Sequence, residues 1–140
     1  MRERACFLAW AFLAALSCNS DQADPAAAGG GPDPDPITDL SSGAECAGGS
    51  ELGYASFGRD FVDKYCLSCH TETLMGAARM APEGRDFDDV EGIRKWAHQI
   101  DSFAAAGPKG THSTMPPSAP FPTMQERQKL GEWLACGVPD

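Results

Sequence analysis

Cys66-Leu67-Ser68-Cys69-His70 constrains this chain more than any other stretch. The C-x-x-C-H spacing places two thiols on one turn and an imidazole directly after the second, so that all three groups reach a single flat ligand. Two thiols so placed add to the two vinyl groups of one porphyrin while the imidazole ligates its iron, and the pentapeptide therefore points to one covalently bound haem c. Two other chemistries use a C-x-x-C pair. A thioredoxin-like redox centre needs a βαβ context, and a zinc site needs a second close pair of Cys or His ligands; neither pattern is found.

The N-terminus bears on compartment. Met1-Arg2-Glu3-Arg4 is followed by an unbroken apolar run from Ala5 to Leu16. The run is short for a membrane span, which takes about 20 residues, and residues 1–17 read as a signal peptide of an exported protein. A cysteine directly after the expected cleavage point resembles the lipobox of bacterial lipoproteins, which makes Cys18 the expected lipid anchor on the periplasmic side of the cell envelope. The pattern departs from the lipobox in having Ala15, where leucine is usual, three residues before Cys18, so ordinary cleavage at the same bond stays open. Residues 18–45 are rich in Pro, Gly, Ala and Asp, with six acidic side chains and no Lys or Arg. Such a segment buries too little apolar surface to offset its ordering entropy, and it is expected to be a disordered tether.

Residues 46–140 suffice for one small domain. Its 13 acidic and nine basic side chains leave a net charge of −4. That balance argues against nucleic acid and for redox partners with a basic docking surface, steered electrostatically to a monomeric domain.

Three stretches have helical period, and no sustained alternation marks a strand. Over 52–65, Tyr54, Phe57, Phe61 and Tyr65 form an aromatic stripe leading into the motif, with Gly58 on the same face. Over 88–103, Val90, Ile93, Ala97 and Ile100 share a face, Trp96 lies at its edge, and His98 falls on the polar side. Over 124–135, Thr123 and Glu126 form a capping box ahead of Leu130, Trp133 and Leu134. The long proline-bearing loops between these helices make a poor core by themselves, which a buried cofactor would explain.

If His70 binds one face of an iron, the opposite ligand decides the chemistry. Met115, 45 residues on in Thr114-Met115-Pro116-Pro117, is held out of helical geometry by the prolines that follow it. Met75, Met80 and above all His112, three residues before Met115, are the rivals, while Met124 suits packing. A thioether favours ferrous iron and raises the potential, whereas a second imidazole lowers it.

C-x-x-C-H after an aromatic first helix, a later Met-Pro-Pro loop and a last helix carrying Trp133 together resemble small class I c-type cytochromes, over residues 50 to 137. The resemblance implies an all-α, cytochrome c-like fold of three or more helices and long loops wrapped around one haem. It implies Cys66 and Cys69 as thioether attachment points, His70 as proximal ligand and Met115 as distal ligand. It also implies that the first and last helices cross, where Gly58 with Phe61 would supply the glycine and aromatic.

Cys6 leaves with the signal, and Cys46 and Cys136 then bracket the domain in an oxidising compartment. They are expected to form a disulfide; the alternatives are two free thiols or Cys46 pairing between chains. The expected function is single-electron transfer without enzymatic turnover. The alternative is a haem enzyme or gas sensor whose distal position opens.

Overall fold

The computed structural model describes residues 40–140. The expected signal peptide, the Cys18 anchor and the tether as far as residue 39 lie outside the described residues. Within them the fold is all-α apart from one miniature hairpin. A π-helical turn, Tyr54–Gly58, runs directly into helix α1, Arg59–Tyr65. Helix α2 is Val90–Ala104 and helix α3 is Met124–Ala135. A short 3-10 turn, Gly76–Ala78, interrupts the loop between α1 and α2.

The first helix starts two residues later than its aromatic period suggests, and its opening turn is underwound. Gly58 N–H donates to Gly53 O at 3.0 Å, five residues back, and Tyr54 N–H is taken by Pro139 O at 2.8 Å. The C-terminal segment thus supplies the partner that a preceding turn of helix would have used. The aromatic stripe survives the change in winding, with Phe57–Phe61 and Phe61–Tyr65 ring centroids 5.5 and 4.9 Å apart.

Asp89 caps α2 by accepting from Gly92 N–H at 2.7 Å, which shifts the start of the helix past the expected Asp88. Ile93 and Ile100 are buried, and His98 is exposed as its helical phase requires. Thr123 and Glu126 form the expected capping box, with bonds of 3.2 and 2.7 Å. Between α2 and α3, strands β1, Ala106–Gly107, and β2, Gly110–Thr111, pair antiparallel with Ala106 opposite Thr111. Strands of two residues are too short to leave any periodic trace in the sequence.

Trp133 is the centre of the core, fully buried, with its indole N–H on Pro139 O at 3.2 Å. It stacks on Tyr54 and meets Phe57 edge-on. A Cβ built at Gly58 would overlap Trp133 Cη2 and Cζ2, so the absence of a side chain there is what lets α3 approach the first helix. The crossing is therefore made by Gly58 and Trp133. Phe61, expected as the aromatic, is buried in the same core as Leu130, Trp133 and Leu134 and stacks on Phe57 and Tyr65. Gly58→Val should lower stability by about 1–3 kcal/mol through overpacking, seen as a lower urea midpoint. An unchanged midpoint would mean that the indole has room to swing aside.

The packed domain also begins upstream of Cys46, which shortens the expected tether. Ser42 is fully buried, and its N–H and Oγ bond the Asp101 carboxylate at 2.8 and 2.5 Å, with Ser41 Oγ on the same carboxylate at 3.2 Å. Lys109 N–H returns a bond to Ser42 O at 2.8 Å. Ser-Ser-Gly reads as linker by composition. Its buried partner is a carboxylate some 60 residues away, which composition does not encode. Cys46 and Cys136 are joined as a disulfide.

Candidate cofactor cleft

The C-x-x-C-H motif sits where α1 ends. Cys66 is the C-cap residue, and Cys69 N–H and His70 N–H both donate to Cys66 O, at 3.0 and 2.9 Å. One extra turn therefore carries both thiols and the imidazole, and neither thiol is in a disulfide. All three residues line a cleft with about 1170 Å³ of space free of protein atoms, its open mouth included. The opposing lining comes from Ile100, Phe103 and Ala104 of α2 and from the loop that begins at Met115. Apart from Lys64 and Arg85 the lining is uncharged, and it contains no carboxylate. A mainly apolar cleft with a few polar groups on one wall is the usual form of a cofactor site.

His70 is oriented before any ligand arrives. Its Nδ1 lies 2.8 Å from Arg85 O, and because a carbonyl only accepts, Nδ1 carries the hydrogen and Nε2 keeps the lone pair. The ring stacks on Phe87 at 4.4 Å, and Phe87 N–H bonds His70 O at 2.9 Å. Burial lowers the imidazole pKa and outweighs the opposing effect of the Arg85 carbonyl, so the ring is neutral at neutral pH. A neutral imidazole whose second nitrogen is tied to a carbonyl is a ready metal ligand.

Burial, and secondarily the nearby Cys69, pushes the Cys66 thiol up to about 12. That is the reverse of a redox-active C-x-x-C, whose nucleophilic thiol is acidified, commonly at a helix N-terminus. Here the pair follows a C-terminus, where the helix dipole opposes a thiolate. Among the described residues no three His, Cys, Asp or Glu are grouped to hold a metal ion.

The loop from His70 to Phe87 is shaped by a residue that carries no sequence signal. Arg79, with its side chain 8 % exposed, donates to Thr71 O, Ala81 O and Pro82 O at 2.9, 3.0 and 2.9 Å and pairs with Asp86 at 2.6 Å. One guanidinium thereby gathers the loop beneath His70. Asp88 closes its base by accepting from Thr71 Oγ1 and Glu72 N–H at 2.5 and 2.9 Å.

The distal candidates separate by position. Met115 lines the cleft and is 38 % exposed, with its N–H on Phe103 O at 2.9 Å. Met80 also lines it but is 73 % exposed, on the loop that Arg79 ties to the His70 side. Met75 and His112 are not among the lining residues. His112 Nε2 is buried with no hydrogen-bond partner. Met124, expected to pack, is largely exposed, and its sulfur accepts from Thr111 Oγ1 at 3.5 Å.

At the edge of the cleft, Glu126 accepts from Tyr65 Oη at 2.9 Å and pairs with Lys64 at 3.4 Å. The Thr123 N–H, its hydroxyl and then Tyr65 and Lys64 hold the Glu126 carboxyl down at about 2. It is a structural anion that joins α1 to the start of α3. The chain matches no family model, no curated protein and no solved structure.

Proposed function

We propose that the chain is a monohaem c-type cytochrome of small cytochrome c-like fold, carrying single electrons between redox proteins on the periplasmic side of a cell envelope. The observation that carries this reading is the meeting, in one apolar cleft, of Cys66, Cys69 and a neutral, pre-oriented His70 with Met115 from 45 residues further on. Haem, when bound, supplies a one-electron ferric/ferrous couple. The residues do the rest. Cys66 and Cys69 are the thioether attachment points, His70 Nε2 is the proximal ligand and the Met115 thioether is the distal ligand. The apolar lining keeps the site at low dielectric, and the bonds that fix His70 and the start of the Met115 loop limit rearrangement between charge states.

The cleft's open mouth is where a redox partner would make its approach. The net charge of −4 over residues 46–140 favours a partner with basic groups, with an on-rate that falls as salt rises. An exported form anchored through an acylated Cys18 fits this role.

An optical spectrum of protein made with a cytochrome c maturation system tests the proposal. Wild type is expected to show low-spin, six-coordinate haem with a methionine-to-iron charge-transfer band, and Met115→Ala is expected to lose the band and drop in potential. A band that survives in Met115→Ala would refute the ligand assignment. The second reading is a haem enzyme or gas sensor whose distal position opens. Carbon monoxide separates the two: rapid binding to reduced wild type at neutral pH would replace the carrier with the open-site reading.

A further inference from the structure

We propose that Arg127 is the positioning residue that holds Met115 at the cleft and so selects it over His112; this rests on the haem reading above. Arg127 lies in the first turns of α3, yet it is only 5 % exposed. Its Nη1 donates to Ala104 O at 2.7 Å, His112 O at 2.8 Å and Met115 O at 2.9 Å. No carboxylate pairs with it among the described residues, so three carbonyl dipoles compensate a buried charge. Burying a guanidinium for structure alone is a costly device, because an apolar side chain of similar volume would fill the same space.

The cost makes sense in the loop it holds. Four prolines among residues 116–122 have no N–H to give, and among the described backbone hydrogen bonds none is made by that segment. The loop is tied at its start by His112 N–H on Ala105 O at 2.8 Å, by Met115 N–H on Phe103 O and by the two carbonyls on Arg127. Arg127 thus supplies half of these ties and links the end of α2 to the loop and to α3. Charge-assisted bonds are roughly twice as strong as neutral ones, so the guanidinium is the dominant tie.

His112 gives the tie a consequence for ligand choice. It sits three residues before Met115, it hangs from the same guanidinium, and its Nε2 is buried without a partner. An unpaired imidazole nitrogen of this kind binds iron well once the loop can move. With both carbonyls held on Arg127, Met115 lines the cleft and His112 is not among its lining residues.

The test uses the haem-loaded full chain and reads the charge-transfer band, the potential and the low-spin signature. R127M is expected to lose the band, lower the potential and acquire a bis-imidazole spectrum, and adding H112A is expected to remove that spectrum. R127K is expected to keep the band, since an ammonium offers three donors to the three carbonyls. A folded R127M with band and potential intact would overturn the proposal. If R127M does not fold, wild type decides by urea titration: the band should vanish in the same step as the helical signal, and its loss in an earlier, separate step would overturn the proposal. A wild type with haem but no methionine band refutes Met115 as ligand, an outcome distinct from a band that ignores Arg127.

Discussion

Cys66→Ala combined with Cys69→Ala should abolish the haem signal of this protein on a denaturing gel, where wild type retains it. The loss is all or none because only two bonds are at stake. His70 and Met115 offer coordinate bonds that denaturant breaks, whereas a thioether survives it. The two thiols sit on one turn closed by the bonds to Cys66 O, so either can form a bond without the other. Each single substitution should therefore keep a stained band, with an optical maximum shifted to longer wavelength because one vinyl group stays conjugated. Should the double variant keep its stain, haem would be attached elsewhere or not through these thiols. Should wild type show no stain after expression with the maturation machinery, the cofactor assignment itself would fall.

Removing the Cys46–Cys136 link should have the largest effect on stability. The bond spans 90 residues. In the chain-entropy account a closed loop of that size is worth about 4–5 kcal/mol. A domain of this length has a total stability of about 5–15 kcal/mol, so this one bond is comparable with the margin that keeps the domain folded. Its position adds to the effect. Cys46 follows the segment that docks Ser42 on Asp101, and Cys136 ends α3 just beyond Trp133, so the link ties the entry of the domain to its central helix. Cys46→Ala with Cys136→Ala should lower the urea midpoint by that amount divided by the m-value, and a reductant should do the same to wild type but not to the variant. A change below about 1 kcal/mol would show that the unfolded chain is already compact enough for the link to restrict little.

How the site was legible differs from residue to residue. Cys66, Cys69 and His70 are adjacent in sequence and owe their grouping to one turn of chain, so local spacing alone placed them together. Met115 was visible because two prolines mark the residue before them as extended, a local steric effect. The three helices were visible because burial of one face writes its period into the chain, and Thr123 with Glu126 marked the start of α3 through a bond between near neighbours. Arg79 and Arg127 left no such trace. Neither has neighbours that announce its role, and each acquires it from carbonyls that the fold brings to it. Ser42 was hidden for the same reason.

The rivalry between His112 and Met115 marks the division most clearly. On the chain they are three residues apart, and spacing gives no reason for either to reach an iron. Their separation depends on α2 ending where Phe103 and Ala105 can accept from the loop, and on α3 delivering Arg127 beneath it. The local chemistry of a haem-attachment motif, the helix periods and the cysteine pair bracketing the domain could all be read from residue order, because short-range bonding and one-sided burial act over a few positions. Which thioether lines the cleft, which imidazole stays outside it and which charges hold the loops depended on contacts between residues distant along the chain, and only the packed structure brings those together.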